Sequence, residues 1–143
     1  MRHIWAALFA ALAAMVGLPV RTGDDANGGA HTVGRQNAEH YTWGAGADGW
    51  YLAKRPGLHV IEERIPPGVG ETLHRHQHAF QFFYVLCGTA RFTVGEKTVT
   101  VSAGEGLPME PGVAHRVENP GKQDLTLLVV SQPPSHGDRE EVR

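Results

Sequence analysis

The sequence predicts an all-β fold made of short strands. About eight apolar or alternating stretches are separated by turn residues every eight to twelve positions, a spacing typical of sandwiches and jelly-roll barrels. The 143 residues include 18 Gly and 9 Pro, a composition that favours many turns over long helices. No stretch has a clear helical periodicity, and no internal repeat is present. We therefore expect a single-domain barrel.

Size and charge narrow the functional classes. A chain of 143 residues with 41% hydrophobic content is sufficient for one core. The net charge of −2 and the absence of a Lys or Arg cluster argue against nucleic acid as a partner. Cys87 is the only cysteine, so no intrachain disulfide forms, and its place at the end of an apolar run predicts a buried core residue.

Residues 1–32 are predicted to lie outside the fold. Arg2 precedes a nearly uncharged apolar run that ends at Pro19, which is the layout of a secretory leader, and a Gly- and Asp-rich linker expected to be disordered follows. A wrongly assigned start, with Val33 as the true first residue, is an equal alternative. The first interpretation predicts a secreted or periplasmic protein and the second a cytoplasmic one. Neither interpretation predicts a stable association with a membrane apart from the leader itself.

The rest of the chain divides into an arm, a barrel and a tail. Residues 33–54 form a predicted N-terminal arm whose aromatic residues cover a barrel end or an edge strand. The barrel is expected over residues 55–131, and the polar tail 132–143 is expected to leave it.

Each barrel strand has its own signal. The predicted strand at residues 59–65 ends at a Pro-Pro-Gly turn, and the run at 82–86 is apolar at every position, which favours a strand buried on both faces. Gly95 and Glu96 form a two-residue hairpin turn with Gly first, which suits type II′. The remaining strands are expected at residues 90–94, 97–101, 107–109, 115–118 and 125–131.

Histidines at alternate positions mark the candidate site. His74, His76 and His78 share one face of an extended strand, and Gln81 follows them. His115 comes after a Pro-Gly turn further along the chain. Imidazoles in this arrangement are typical of a transition-metal site. We therefore predict a metal-binding site at the mouth of the barrel.

The first of these stretches resembles the first motif of the cupin family. That motif has Gly, five residues, His-x-His, three or four residues, Glu, six residues and Gly. Gly68, His74, His76, Gln81 and Gly88 match every spacing, with Gln in place of Glu. The alternative register, which uses the histidine at position 78, leaves only two residues before the Gln and is disfavoured.

The second stretch resembles the second cupin motif. Gly104, Gly112, His115 and Asn119 all match, whereas Glu110 stands where Pro is usual. Several flanking stretches, NAEHYTWG and QFFYVLCG among them, are also similar to a group of small bacterial single-domain cupins whose role is unassigned. The resemblance implies a double-stranded β-helix, or jelly-roll, fold. It also implies a homodimer formed by pairing of edge strands.

The resemblance implies a divalent transition metal, Fe, Mn, Ni, Cu or Zn, held by His74, His76 and His115. Gln81 takes the place of the acidic ligand, keeps an oxygen there and loses the charge, so that it is a weak ligand and no general base. The metal then keeps its +2 charge, which favours an anionic small molecule. A role for Gln81 in hydrogen bonding within the pocket is equally compatible, and His78 is expected at the rim.

Two functions follow as hypotheses. The first is a metal-dependent enzyme acting on a small molecule, with a dioxygenase-type reaction as the leading form, since some cupin dioxygenases use three His and no carboxylate. The alternative is a non-catalytic protein that binds a sugar or organic acid in the same cavity, with or without metal. The sequence assigns no catalytic residue.

Overall fold

A computed structural model describes residues 31–143, of which Thr32–Arg143 form one compact unit. The predicted leader and most of the predicted linker lie outside the described residues. Within residues 31–143, no helix is long and apolar enough to cross a membrane.

All regular elements within residues 31–143 are β-strands, and they form two antiparallel sheets. The six-stranded sheet contains, in spatial order, β1 (Glu39–Trp43), β2 (Ala47–Arg55), β3 (Leu58–Ile65), β10 (Leu125–Gln132), β5 (Phe80–Cys87) and β8 (Gly106–Met109). The five-stranded sheet contains β11 (Arg139–Glu141), β4 (His74–His76), β9 (His115–Glu118), β6 (Thr89–Val94) and β7 (Lys97–Ser102). The all-β jelly-roll prediction is confirmed.

The core lies between the two sheets and follows the two-residue period of the strands. On β10, Leu125, Leu127 and Val129 are buried and alternate with half-buried neighbours. Phe83 from the first sheet and Phe92 from the second meet with their ring centroids 5.0 Å apart. Complete burial of a side chain such as Phe92 stabilises the fold by about 1.5–3 kcal/mol. This contact fixes the spacing of the two layers beside the histidine site.

The hairpin between β6 and β7 has the predicted two-residue turn. Val94 and Lys97 are paired across it, and Gly95 has a φ of 57°. Type I′ would also need a positive φ at Glu96, and no non-glycine residue described here has one. The turn therefore matches type II′, as the sequence predicts.

The prediction that β5 is buried on both faces is wrong. Phe83 and Val85 face the core, whereas Tyr84 and Leu86 are 38% and 44% exposed. The strand belongs to a two-layer structure, and only its inner face is covered by another sheet within the described part of the chain. The buried position predicted for Cys87 is also wrong, because this last residue of β5 is exposed.

The prediction that the tail leaves the barrel is also wrong. β11 pairs antiparallel with β4, with Arg139 opposite His76 and Glu141 opposite His74. The Asp138 carboxylate accepts hydrogen bonds from two backbone N–H groups just after β4, each at 2.9 Å. Backbone pairing and charge complementarity hold this strand rather than apolar burial, so a search for apolar periodicity overlooks it.

The arm extends the first sheet. β1 and β2 form a hairpin that pairs with β3, and Tyr41, Trp43 and Tyr51 are partly buried against the core. Together with the tail, this hairpin places polar and aromatic side chains beside the histidine strand.

Candidate metal centre

Three histidines from two adjacent strands converge at one point. His74 and His76 occupy alternate positions of β4, and His74 is paired directly with His115 of β9. One nitrogen of each ring lies within 4.8 Å of the others. The three side chains are between 1% and 6% exposed. Strand alternation and strand pairing therefore bring together three residues that are up to 41 positions apart in the sequence.

Two backbone carbonyls orient the rings. His74 Nδ1 lies 2.9 Å from the carbonyl oxygen of Thr72, and His115 Nδ1 lies 2.9 Å from that of Val113. A carbonyl oxygen only accepts, so each Nδ1 carries the proton and donates it. The lone pair of each neutral ring is then on Nε2. His76 Nδ1 is buried and has no hydrogen-bond partner among residues 31–143.

The surroundings keep these imidazoles neutral. Burial lowers the pKa of His74 and His115 below the usual value, against the opposing effect of the backbone bonds. Burial, together with the charges of the other two histidines, lowers the pKa of His76 to about 4. Metals bind the neutral imidazole, so the site is in its ligand form at pH 7.

Gln81 completes the cluster from β5 of the other sheet. Its side chain is buried, with Oε1 3.1 Å from His115 Nε2. Its amide nitrogen donates to the Ser131 hydroxyl at 3.4 Å, and Ser131 donates to Ser135 at 3.2 Å. This hydrogen-bond chain turns the amide oxygen toward the histidines.

The contact between Gln81 and His115 places two acceptors against each other. The amide oxygen has only lone pairs to offer, and Nε2 of a His115 protonated at Nδ1 also has only a lone pair. Two buried acceptors 3.1 Å apart repel each other unless a cation shares them. The donor set therefore fits a divalent transition metal.

The structure brings the predicted residues His74, His76, Gln81 and His115 together. It leaves His78 exposed and outside the cluster. The register that pairs positions 74 and 76 is thus the one that forms the cluster, and ligation by these residues stays a prediction.

A cavity of about 510 Å³ opens beside His76 and Gln81. Its other walls come from β1 of the arm, β3, the loop before β4, and the tail. The chemically active side chains on these walls are Tyr41, Glu63, Glu71, His136 and Arg139.

Two carboxyl groups in this cavity have different surroundings. Glu63 is 9% exposed, and burial, together with the nearby charge of Glu71, raises its pKa to about 8. Tyr41 opposes this rise by donating a hydrogen bond to Glu63 Oε1 at 3.0 Å. The indole N–H of Trp43 makes no hydrogen bond of good geometry, but it is close enough to oppose the rise as well. Glu63 is therefore largely protonated at neutral pH.

Glu71 has a cation beside it. Its carboxylate is 3.4 Å from the Arg139 guanidinium, and it also accepts from the backbone N–H of Val117 at 3.3 Å. Burial raises the pKa of Glu71, and the charge of Arg139 is the largest opposing effect.

These cavity residues were not among those predicted from the sequence. Glu63 stands between Ile61 and Ile65 on the inward face of β3, so alternation alone was a signal that this acid points inside. Arg139 lies in the tail that was predicted to leave, and its position offered no such signal. A second imidazole contact was also overlooked, since the Tyr51 hydroxyl lies 3.1 Å from His136 Nδ1.

Comparison with known proteins agrees with this geometry. The family described as Cupin domain matches residues 61–131. The oxalate-binding protein of Thermotoga maritima is 36% identical over 67 residues, which are 47% of this chain and 55% of that protein. Mannose-1-phosphate guanylyltransferase 2 of Escherichia coli O157:H7 is 38% identical over 79 residues, 55% of this chain but 16% of the enzyme. The chain thus spans about half of the first protein and a small part of the second.

Solved structures have the same fold. A protein described as a predicted oxalate decarboxylase from Thermotoga maritima superimposes with a TM-score of 0.64 at 25% identity, covering 73% of this chain and 100% of its own. An RmlC-like cupin from Shewanella frigidimarina superimposes with a TM-score of 0.67 at 21% identity, covering 76% and 95%. With two matching motifs, a jelly-roll fold and a three-histidine cluster at the expected place, the chain belongs to the cupin superfamily.

Proposed function

We propose that this cupin binds a small carboxylate anion at a divalent transition metal held by His74, His76 and His115, with Gln81 as a neutral fourth donor. The observation that carries the proposal is the charge of the donor set. Three neutral imidazoles and one amide add no negative charge, so the metal keeps its +2 charge at the edge of the cavity. An anion is the ligand that neutralises such a centre.

The walls of the cavity support an anionic ligand. Arg139 lies on the cavity wall, where it is paired with Glu71 and Glu141 and balances their charge, and Glu63 is largely protonated at neutral pH because of its raised pKa. Neither group then repels an anion, and the charge of Glu71, the other carboxyl group on the cavity wall, is offset by Arg139.

Oxalate is the natural first probe. The Thermotoga maritima relative is named for oxalate binding, and the superimposed structure from that organism is described as a predicted oxalate decarboxylase. The cavity of about 510 Å³ also has room for larger carboxylates, so we propose the class of ligand rather than oxalate alone.

A reaction on the bound molecule is a separate proposal. The dioxygenase chemistry implied by the cupin resemblance stays a prediction, and an oxygen-uptake assay over a panel of small organic acids tests it. Uptake would assign an enzyme, whereas stoichiometric binding of an unaltered acid would favour the binding protein.

The test of the binding proposal uses the full chain without a His-tag. Mn(II), Fe(II) and Zn(II) are titrated calorimetrically into metal-free protein, and oxalate is then titrated into the metal-loaded and metal-free forms. We expect one metal per chain and oxalate binding only when metal is present. Equal oxalate binding with and without metal, or none in either form, would contradict the proposal. The His78→Ala variant serves as a matched control that leaves the cluster intact.

A further inference from the structure

Glu63 is a buried carboxyl group without a cationic partner. It makes no ion pair within residues 31–143, and the hydrogen bond from Tyr41 reaches only its Oε1. Its neighbour Glu71, by contrast, has Arg139 at 3.4 Å. A buried carboxyl without a counter-ion is costly in its charged form. Its retention on a cavity wall calls for a functional explanation.

The position of this carboxyl relates it to the ligand. Glu63 lines the same cavity as His76 and Gln81, on the wall formed by β3 rather than by the histidine strand. Tyr41 fixes Oε1 from the arm, and burial, together with the charge of Glu63, raises the pKa of Tyr41, so the phenol remains the donor. The nearby Trp43 N–H makes no hydrogen bond of good geometry with this carboxyl group, so Oε2 is the oxygen that can carry a proton for the ligand.

We propose that Glu63, as the neutral acid, donates a hydrogen bond from Oε2 to an oxygen of the bound carboxylate, so that ligand binding is coupled to protonation of this residue. The inference rests on the proposed function and narrows it. The ligand must present an acceptor oxygen in addition to those bound by the metal. A dicarboxylate, hydroxy acid or keto acid that chelates the metal keeps such an oxygen, whereas acetate that binds the metal through both oxygens keeps none.

The charged groups around Glu63 agree with this role. Tyr41 on β1 donates to it, and Tyr51 on β2 feels its charge. Glu71, before β4, raises the pKa of Glu63, while Arg139 on β11 lowers it more weakly. The net pKa of about 8 leaves the acid largely protonated at pH 7, and an anion placed beside it favours the protonated form further. The proton comes from solvent, and no bond of the ligand is broken.

Proton uptake is the measurable consequence. Near pH 8 a carboxyl with a pKa of about 8 is half protonated, so binding should take up about half a proton per ligand. Between pH 7 and pH 9 the protonated fraction falls about tenfold, and the affinity for the anion should fall by the same factor.

The experiment is calorimetric titration of oxalate into the Mn(II)-loaded full chain, at pH 7, 8 and 9, in pairs of buffers with different ionisation enthalpies. Acetate is titrated in parallel. It should bind more weakly than oxalate, and its binding should not be accompanied by this proton uptake. The Glu63→Gln variant keeps a neutral hydrogen-bond donor but does not titrate. We expect this variant to bind oxalate with no more proton uptake than acetate binding shows. Its affinity for oxalate should not fall tenfold between pH 7 and pH 9.

Two further variants keep the result interpretable. Glu62→Gln makes the same change at the next position of β3, which points to the other side of the sheet and contacts Arg35, and it should behave as wild type. Tyr41→Phe removes the bond that opposes the rise in pKa, so the loss of affinity should move to higher pH. This shift tests the proposal even if Glu63→Gln fails to fold.

The outcomes separate the two proposals. If wild-type protein does not bind oxalate in the metal-loaded form, the proposed function fails and this inference fails with it. If wild type binds oxalate but Glu63→Gln shows the same proton uptake and the same pH dependence, the inference alone is overturned. An unchanged pH profile in a folded Tyr41→Phe variant would overturn it as well.

Discussion

Gln81 Oε1 lies 3.1 Å from His115 Nε2, with the Nδ1 proton of the same histidine donated to the Val113 carbonyl. The pair joins the two sheets of the barrel, since Gln81 is on β5 and His115 on β9. Two lone-pair atoms at this distance in a buried site are the arrangement that a bound cation stabilises. Both atoms are neutral donors, so neither would reduce the +2 charge of a bound divalent metal.

Metal content should depend on the three clustered histidines and not on His78. We expect His74→Ala, His76→Ala and His115→Ala each to reduce bound metal by at least about tenfold, because each removes one of the three imidazole ligands and leaves the weaker amide donor in the set. His78→Ala should retain wild-type metal content, as measured by elemental analysis of untagged protein. Loss of metal in the His78 variant would show that the shifted register is the one in use.

Metal binding should persist into mildly acidic solution. The fold keeps the three clustered histidines neutral, with the pKa of His76 lowered to about 4 and those of His74 and His115 also lowered, mainly by burial. Protons therefore compete with metal only at lower pH than at an ordinary histidine site, for which the competition begins near 6.5. Metal affinity measured from pH 8 to pH 5 should therefore begin to fall at a lower pH than it does at an ordinary histidine site. A fall that begins near pH 7 would contradict the lowered pKa values.

Glu63→Gln should stabilise the metal-free protein at high pH. The pKa of Glu63 is raised in the fold to about 8 from its ordinary value of 4.5, so the folded state binds more protons than the unfolded state between these values. The contribution of Glu63 to stability is then fully present below pH 4.5 and is lost as the pH rises through about 8. The variant lacks this loss, and its melting temperature should exceed that of wild type more at pH 9 than at pH 5. Equal differences at the two pH values would argue against a titrating buried acid.

Residues 1–32 should be dispensable for the fold. All strands of the described part lie after residue 38, and the compact unit begins at Thr32. A variant that begins at Val33 should remain soluble and melt cooperatively at the wild-type temperature, as followed by circular dichroism. Aggregation or a much lower melting temperature would give this segment a structural role.

The sequence predicted the fold and the histidine cluster well because both depend on local periodicity. Alternation along β4 places His74 and His76 on one face, and the Pro-Gly turn before β9 delivers His115. The features that could not be predicted depend on how the two sheets cover each other and on which strands pair, and no local sequence pattern shows either. The outer face of β5 is apolar although it is exposed, as Tyr84 shows. β11 is joined to β4 by backbone pairing and charge, so the position of Arg139 in the cavity could not be read from apolar spacing.

The neutral donor at position 81 is the central element of this account, and the Gln81→Glu variant tests it most directly. A carboxylate there should tighten Mn(II) binding by about 1–3 kcal/mol, because a charged oxygen is a better ligand for a +2 ion even after its desolvation. It should also weaken oxalate binding to the metal-loaded protein, since the added charge partly neutralises the centre. Calorimetric titration of Mn(II) and then oxalate into both proteins, with a melt of each, makes the measurement. Unchanged Mn(II) affinity together with a lower melting temperature would contradict the account, because it would show Gln81 to be a hydrogen-bonding residue of a core without metal.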